Sequence, residues 1–321
     1  LAKDMFALEQ ENGDVFLLST GEQTGWTTED IAGDFLCEGE VVSIPWGKSR
    51  KVSEVMKYYN GKFVTADNRI ATSSDTSILS NKYLYYWMMS QGDLIDSFYR
   101  GSGLKHPSMK DVLDMKMPLP PLEVQSEIVR ILDNFTELTA ELTAERTARK
   151  KQYSYYRDSL LSFHEQSAVP NMQLGDIAKF VYGYTDKAKD TGSARFIRIT
   201  DINEDGRLNP NDAKYVELNE ESKKYLLQKG DLLLARTGAT YGKTLYFDSD
   251  EPAVYASFLI KIILDNSLIK NRYYWHFSKS SLYWEQAERY VSKGGQQQFN
   301  TNAVSRVKVP VPSLEVQDKI I

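Results

Sequence analysis

The sequence predicts a mixed α/β fold in which two strand-led domains alternate with two long helices as a pseudo-twofold repeat. Segment 309–321 matches segment 117–129 at seven of thirteen positions without a gap, including two prolines and the run Leu-Glu-Val-Gln. Weaker matches upstream keep nearly the same offset of 192 residues, which indicates two copies of one unit. A long stretch without Pro or Gly follows segment 117–121, and its apolar residues recur at gaps of three and four. That spacing predicts a helix with a heptad seam.

The first predicted domain covers residues 1–121. Short apolar runs predict strands at 15–18, 40–44 and 63–66. The Asn-Gly pair at 60–61 predicts a hairpin turn, because both residues tolerate the backbone conformation that such turns require. Aromatic and aliphatic residues at helical spacing predict a helix over 81–99.

Residues 122–168 form the predicted central helix, whose forty-odd residues would span about 60 Å. Its seam runs through Val124, Ile128, Ile131, Phe135, Leu138 and Leu142 and is then interrupted by polar residues. We predict that this helix pairs antiparallel with the second helix, which begins near Leu314. One partner helix cannot cover every apolar residue of the central helix, and an exposed apolar stripe marks a docking surface. The predicted docking residues are Leu138, Leu142, Tyr153, Tyr156, Leu160 and Phe163.

The second predicted domain covers residues 169–312, and residues 313–321 begin the second long helix. Strands are predicted at 196–199, 231–235, 245–247 and 256–263, followed by a helix over 270–291. The first domain has no counterpart of the Leu-Gly-Asp-Ile opening at 174–177. We therefore expect the opening of the first domain, and the rest of the second helix, to lie outside this sequence.

Composition excludes several classes of protein. The chain has 321 residues, a net charge of −5, one cysteine and three histidines, so neither a disulfide framework nor a Cys/His zinc cluster is expected. We interpret Cys37 as a small core residue. No run of eighteen apolar residues occurs, which predicts a cytoplasmic protein without a membrane segment. Charge is uneven, since segment 171–312 carries 20 basic against 17 acidic side chains.

Catalytic motifs are missing from the sequence. The Pro-Pro pair at 120–121 lacks the flanking residues of an amino-methyltransferase loop, and the scattered histidines form no credible nucleophile–base set. Segment 236–244 resembles a phosphate-binding loop, but only three residues separate Gly238 from Gly242, where that loop needs four. A strand, not a helix, is predicted after it. We therefore expect a non-catalytic chain without a cofactor of its own.

The repeat layout resembles the specificity (S) subunit of type I restriction–modification systems. The resemblance rests on the Pro-x-Pro-x-Leu-Glu-x-Gln helix start, the 136–151 run and the Leu-Gly-Asp-Ile opening at 174–177, and it covers essentially the whole chain. In that family two target recognition domains each read half of a split DNA site. The long helices act as a spacer of fixed length and as the dock for modification subunits.

The resemblance also implies partners and cofactors. The expected partners are double-stranded DNA, modification (methyltransferase) subunits that use S-adenosylmethionine, and restriction or motor subunits that use ATP and Mg²⁺. An alternative from another class is a non-catalytic scaffold whose two repeated modules bind proteins. Binding to random duplex pools, with and without partner subunits, would separate the two hypotheses.

Glycine-rich loops contain the candidate DNA-binding residues of the second domain. The 236–243 loop offers Arg236, Tyr241 and Lys243, and a tight turn with solvated charges is an equally good interpretation. The 293–300 loop offers Lys293, Gln296, Gln297 and Gln298. Glutamine can bond adenine through two hydrogen bonds, and Arg or Lys can read guanine, although glutamine runs also occur as polar linkers. We predict that the two loops lie on one face of the domain.

Two loops of the first domain have a corresponding composition. The 46–51 loop offers Lys48, Arg50 and Lys51 beside a tryptophan, and the 100–106 loop offers Arg100 and Lys105. Clustered cations suit phosphate contact, but solvated loops have the same composition. We predict that these loops form the matching face of the first domain.

Overall fold

The protein is described by a computed structural model that covers residues 5–19, 24–45, 50–65, 70–101, 106–163, 168–292 and 297–321. The chain divides into two units, Leu1–Ala144 and Glu145–Ile321. Both units mix strands and helices, as the sequence predicts. No helix in these described ranges is long and apolar enough to cross a membrane.

A five-stranded sheet forms the centre of the first unit, in the order β2-β1-β4-β3-β5. Strands β1 and β4 are parallel, and the other pairs are antiparallel. The strands are β1 (Val15–Leu17), β2 (Trp26–Thr27), β3 (Cys37–Ser43), β4 (Lys57–Val64) and β5 (Ile70–Ala71).

Short helices cover this sheet, and their buried residues, such as Val52 and Met88, pack against Val42 of β3. They are α1 (Glu29–Ala32), α2 (Val52–Val55), α3 (Asn81–Ser90), α4 (Gly92–Ser97) and α5 (Met109–Leu113), with a 3₁₀ turn at Gly33–Phe35. A separate two-stranded ribbon joins β6 (Tyr99–Arg100) to β7 (His106–Pro107).

Three local expectations for the first unit are wrong. The Asn-Gly pair lies inside β4, where Gly61 faces Gly39 of β3, and both glycines have positive φ. The pair does not turn the chain, because β4 pairs with strands that are distant in sequence. Cys37 is exposed at the start of β3 and is not a core residue. The predicted helix over 81–99 is broken at Gln91 into α3 and α4.

The long helix α6 spans Leu122–Leu161, and its 40 residues would extend about 60 Å. Its start agrees with the sequence prediction. Most side chains of the heptad seam are exposed on its surface. The second long helix is represented by α11 (Leu314–Ile320), and the antiparallel pairing of the two helices stays a prediction.

The described residues of the second unit form three sheets. An antiparallel sheet has the order β13-β12-β15-β9, a second has the order β11-β10-β14, and β16 pairs with β8. The strands are β8 (Asn171–Gln173), β9 (Ala178–Tyr182), β10 (Ala194–Ile197), β11 (Tyr215–Val216), β12 (Leu232–Ala235), β13 (Thr244–Tyr246), β14 (Ala253–Tyr255), β15 (Leu259–Leu264) and β16 (Lys308–Pro310).

Helices pack on the β13-β12-β15-β9 sheet and form a core rich in aromatic residues, including Tyr273, Tyr274 and Phe277. They are α7 (Leu174–Ile177), α8 (Asn271–Phe277), α9 (Ser281–Tyr290), α10 (Thr301–Val304) and α11, with 3₁₀ turns at Ile199–Asp201, Ser222–Tyr225 and Gly238–Thr240. Leu161 at the end of α6 is fully buried in the same core.

Two predicted elements of the second unit differ from the structure. The expected strand over 256–263 forms only from Leu259 onwards, as β15, and the residues before it follow β14 (Ala253–Tyr255), which belongs to a different sheet. The expected helix over 270–291 consists of α8 and α9, because the Ser280 hydroxyl accepts a hydrogen bond from Tyr283 N (3.3 Å) and starts a new helix. The strand predicted after the glycine-rich loop is confirmed as β13.

The repeat extends to single hydrogen bonds around two buried glutamines. In the first copy, Gln125 accepts a bond from Ser80 N (2.9 Å) and donates to the carbonyls of Ile78 and Pro120 (both 2.8 Å). In the second copy, Gln317 accepts from Lys270 N (2.9 Å) and donates to the carbonyls of Leu268 and Pro312 (both 2.8 Å). Each amide therefore ties the start of a long helix to the loop that precedes an aromatic helix.

Candidate nucleic-acid interface

The two glycine-rich loops of the second unit are bonded to one another. Phe299 N donates to the carbonyl of Arg236 (2.7 Å), and Gly238 N donates to the carbonyl of Gln297 (3.2 Å). The Gln298 side chain adds a bond from Nε2 to the Thr237 hydroxyl (2.9 Å). The described part of the 293–300 loop therefore lies beside the 236–243 loop, as predicted.

Arg236 is held in one place by its neighbours. Its Nε donates to the carbonyl of Ser257 (3.0 Å), and its guanidinium lies 5.3 Å from the ring centroid of Tyr182 and 5.5 Å from that of Phe258. Tyr182 and Phe258 are 42% and 52% exposed. A fixed guanidinium between two exposed aromatic rings provides both a hydrogen-bond donor for a base edge and flat surfaces for stacking.

The two described glutamines of the 293–300 loop differ in role. Gln298 is half-buried, and its amide bonds Thr237 and approaches the guanidinium of Arg236 (3.5 Å), so it supports the loop. Gln297 is exposed, and its backbone carbonyl accepts two of the loop-to-loop bonds, from Gly238 N and the Thr237 hydroxyl. Gln297 is consequently the better placed of the two to meet a ligand.

Tyr241 and Lys243 also separate into a packing residue and a surface residue. Tyr241 packs edge-on against Trp284 and Phe299. Burial raises the pKa of its phenol, as expected for a ring that packs against the core. Gly242 has a φ of +79°, and a Cβ there would lie 3.0 Å from the Trp284 ring, so glycine is required. This turn places Lys243 on the wall of a cavity.

The structure describes only some of the candidate DNA-binding residues of the first unit. Lys48 and Lys105 lie outside the described residues, as do Lys293 and Gln296 of the second unit. Lys51 precedes α2 and lies 3.7 Å from Asp93, and Arg100 pairs with Asp111 at 2.9 Å. Arg50 is exposed beside Lys51. The matching face of the first domain stays a prediction.

The predicted docking residues lie along α6. Leu138, Leu142, Tyr156 and Leu160 are exposed, and Phe163, just past the end of the helix, is half-buried. Tyr153 differs from these, because its hydroxyl is 2.8 Å from Nδ1 of His276. In addition, Asp158 Oδ2 accepts a bond from Ser281 N (3.3 Å) at the start of α9. The last turns of α6, which belong to the second unit, are thus bonded to α8 and α9 of the same unit.

We expect the second unit to lose stability as the pH falls from about 6.5 to about 4. Burial, reinforced by neighbouring cations of which Lys279 is the strongest, lowers the pKa of His276 to about 4. In this range the unfolded chain binds a proton at His276 that the folded protein excludes, so acid favours unfolding. Urea midpoints of wild type and His276→Asn between pH 4 and 7 test this, since other groups titrate alike in both. A variant with an unchanged pH dependence would contradict the expectation.

The family model of the type I restriction modification DNA specificity domain matches this chain twice, at residues 3–150 and 167–321. The chain belongs to this family. A putative type I restriction enzyme specificity subunit of Haemophilus influenzae is 31% identical over 306 residues, which cover 91% of this chain and 76% of that protein. The EcoR124I/EcoR124II specificity subunit of Escherichia coli is 30% identical over 283 residues, 79% of this chain and 64% of that protein.

Solved structures agree on the fold. The crystal structure of a type I restriction–modification S subunit from M. genitalium aligns with a TM-score of 0.65 at 18% identity, covering 98% of this chain and 82% of that one. The relatives of this type I specificity chain are specificity subunits, which are non-catalytic, so we assign it no catalytic residue. Within the described ranges, no group of His, Cys, Asp and Glu side chains could hold a metal ion.

Three features of this specificity chain were missed by reasoning from the sequence. Phe258 lies next to Arg236, although nothing near residue 258 in the sequence marks a site. Gln125 and Gln317 occupy matching positions of the repeat, and their hydrogen bonds show why glutamine recurs there. The equal offset of the two glutamines was the signal from which a structural role could have been inferred.

Proposed function

We propose that this chain is the DNA-reading subunit of a type I restriction–modification complex and that each of its domains reads half of a bipartite site. The observation that carries the proposal is the double family match, 3–150 and 167–321, on either side of the C-terminal part of α6. The bonded loop pair of the second unit supports it with a fixed arginine and an exposed glutamine on adjoining segments. These residue types read base edges in the major groove.

The long helices set the spacing and bind the other subunits in this proposal. Helix α6 is continuous over 40 residues, so its length is defined by the 1.5 Å rise per residue. Its exposed apolar residues, Leu138 and Leu142 among them, suit a helical partner. The occupants would be the second long helix and the modification subunits, with restriction or motor subunits joining the complex.

In this proposal the catalytic steps are carried out by those other subunits. Modification subunits would use S-adenosylmethionine to methylate adenine, and the motor subunit would use ATP and Mg²⁺. The chain described here would contribute affinity and sequence choice. Specificity subunits of this kind assemble with other subunits and bind DNA, and the identity of each partner is part of the proposal.

Mapping methylated adenines in a host that carries the chain with its modification subunits tests this function. The expected result is methylation at one sequence made of two short halves separated by a fixed gap. Replacing residues 169–312 by the corresponding domain of a relative should change one half and leave the other half and the gap unchanged. Methylation without sequence preference, or at an undivided site, would refute the proposal.

We expect Gln297→Ala to relax recognition at one base pair by about 1–3 kcal/mol, the discrimination contributed by one side chain with two hydrogen bonds to a base. Sequence preference is measured by selection from a random duplex pool with the assembled complex. Gln228→Ala, which truncates another exposed glutamine of the second unit outside these loops, is the matched control. If the Gln297→Ala variant keeps the wild-type base preference at every position, Gln297 does not read a base.

A further inference from the structure

A cavity of about 420 Å³ lies within the second unit, between the C-terminal half of α6 and the elements that follow it in sequence. Both Lys150 and Arg157 of α6 line it. The opposite wall includes Lys243 from the 236–243 loop and Lys279 from the turn between α8 and α9. The acidic lining residues are Glu204 and Asp205.

The cations of this cavity are only partly neutralised. Arg157 bonds Asp158 through Nε (2.7 Å). In the part of the chain that the structure describes, Lys150, Lys243 and Lys279 form no ion pair. Besides the paired Arg157, three lysines thus face two acidic groups in a concave site, which concentrates positive potential there.

Lys279 shows the effect of these neighbouring positive charges. Its Nζ lies 3.3 Å from the ring centroid of Trp275 and 5.3 Å from that of Tyr153, so two aromatic rings hold the ammonium at the wall. Burial, followed by the charges of Arg157 and Arg207, lowers the pKa of Lys279 to about 8. The site therefore holds a lysine whose charge is poorly compensated by the protein itself, and an anion would compensate it.

The position of Lys243 connects the cavity to the candidate reading surface. The lysine ends the same loop that carries Arg236, and Gly242 N bonds the carbonyl of Ala235 (2.8 Å) across the loop. An anion in the cavity would thus lie beside the segments expected to meet bases. This continuity favours the backbone of DNA over an acidic segment of a partner protein.

We propose that the cavity clamps one phosphodiester of the DNA backbone, with Lys150, Lys243 and Lys279 supplying the charge. The proposal rests on the function proposed above and adds to it a contact that is independent of base sequence. A phosphate held between α6 and the reading loop would fix the register of the second unit on the duplex, since phosphate contacts position a protein while base contacts specify it. Lys150 and Lys279 are new binding residues in this view.

The first test measures how the affinity for labelled random duplex depends on the salt concentration. The titration starts at about 50 mM salt, because a chain with a net charge of −5 is expected to bind DNA weakly and salt weakens that binding further. We expect Lys150→Gln/Lys279→Gln, as well as Lys243→Ala, to weaken binding on all sequences. Each should lower the log–log salt slope by about one unit, the effect of one phosphate, and combining all three changes should lower it little further. Lys224→Gln/Lys308→Gln, which removes the same charge from exposed positions outside the cavity, should leave the slope nearly unchanged.

The second test uses duplexes of the mapped target in which one phosphate at a time is replaced by a neutral methylphosphonate. Wild type should lose affinity several-fold at one position in the half read by the second unit. The Lys150→Gln/Lys279→Gln variant should be insensitive to that same replacement, because the contact is already gone. Thermal unfolding of the variant checks that the second unit is folded.

The outcomes separate the clamp from the function on which it rests. If wild type binds its target and the variant keeps the wild-type slope and phosphate sensitivity, the clamp is wrong and the proposed function stands. If the variant instead loses its modification subunits while its DNA contacts persist, the cavity holds an acidic protein segment, and the clamp is again wrong. If the wild-type chain with its partner subunits binds DNA without sequence preference, both the proposed function and the clamp are wrong.

Discussion

Replacing Leu142 and Leu160 by aspartate is expected to abolish assembly with the modification subunits while both units stay folded. The two side chains are 56% and 52% exposed on α6, so the substitutions remove little internal packing. Burying a leucine in an interface contributes about 1.5–3 kcal/mol, and an unpaired carboxylate in the same place adds a larger desolvation penalty. Together the two changes should weaken assembly by more than about a thousandfold.

Co-purification and analytical ultracentrifugation with the modification subunits measure this effect. Ala140→Asp/Ser159→Asp places the same two charges at exposed positions of α6 next to the seam and should assemble normally. Leu161→Asp is a contrasting variant, because Leu161 is fully buried in the core of the second unit and its replacement should unfold that unit. Normal assembly of the Leu142→Asp/Leu160→Asp variant would show that the apolar seam is not a docking surface.

Replacing Gln317 by alanine is expected to destabilise the second unit by about 3–5 kcal/mol, a large share of the stability of a domain. The change removes three hydrogen bonds and leaves Lys270 N and the carbonyls of Leu268 and Pro312 without their partner. Each buried group left unpaired costs about 1–3 kcal/mol, although water that enters the space offsets part of this. Gln317→Leu should have a similar effect, since it restores volume but no hydrogen bond.

Urea unfolding followed by far-UV circular dichroism and hydrogen exchange of the α8 amides checks this expectation. The equivalent replacement in the first copy, Gln125→Ala, should destabilise the first unit by a comparable amount, because its three bonds are the same in kind and length. Gln152→Ala on the exposed surface of α6 is the control and should change stability by less than about 0.5 kcal/mol. A loss below about 1 kcal/mol at Gln317 would mean that the repeated glutamine is not a structural requirement.

The repeat, the mixed fold and the start of the long helix were predictable from the sequence. Proline fixes the backbone before Leu122, and the apolar period after it is a local property of the chain. The Pro-rich helix start occurs twice in the sequence, because each copy of the repeat packs the start of its long helix against the same kind of loop. The membership of the chain in the type I specificity family agrees with that prediction.

Contacts distant in sequence decided the rest. Gly61 became a strand residue because it faces Gly39, and Arg236 was fixed by Ser257 and Phe258, which no local pattern marks. Hydrogen bonds between two loops some sixty residues apart place the Gln298 side chain in the support of the 236–243 loop and leave that of Gln297 on the surface. Lys150 shares a cavity with Lys243 and Lys279 only because the C-terminal part of α6 packs against other elements of the second unit. Hydrogen bonds and packing of this kind depend on chain segments meeting in space, and the periodicity of a sequence carries no information about which segments meet.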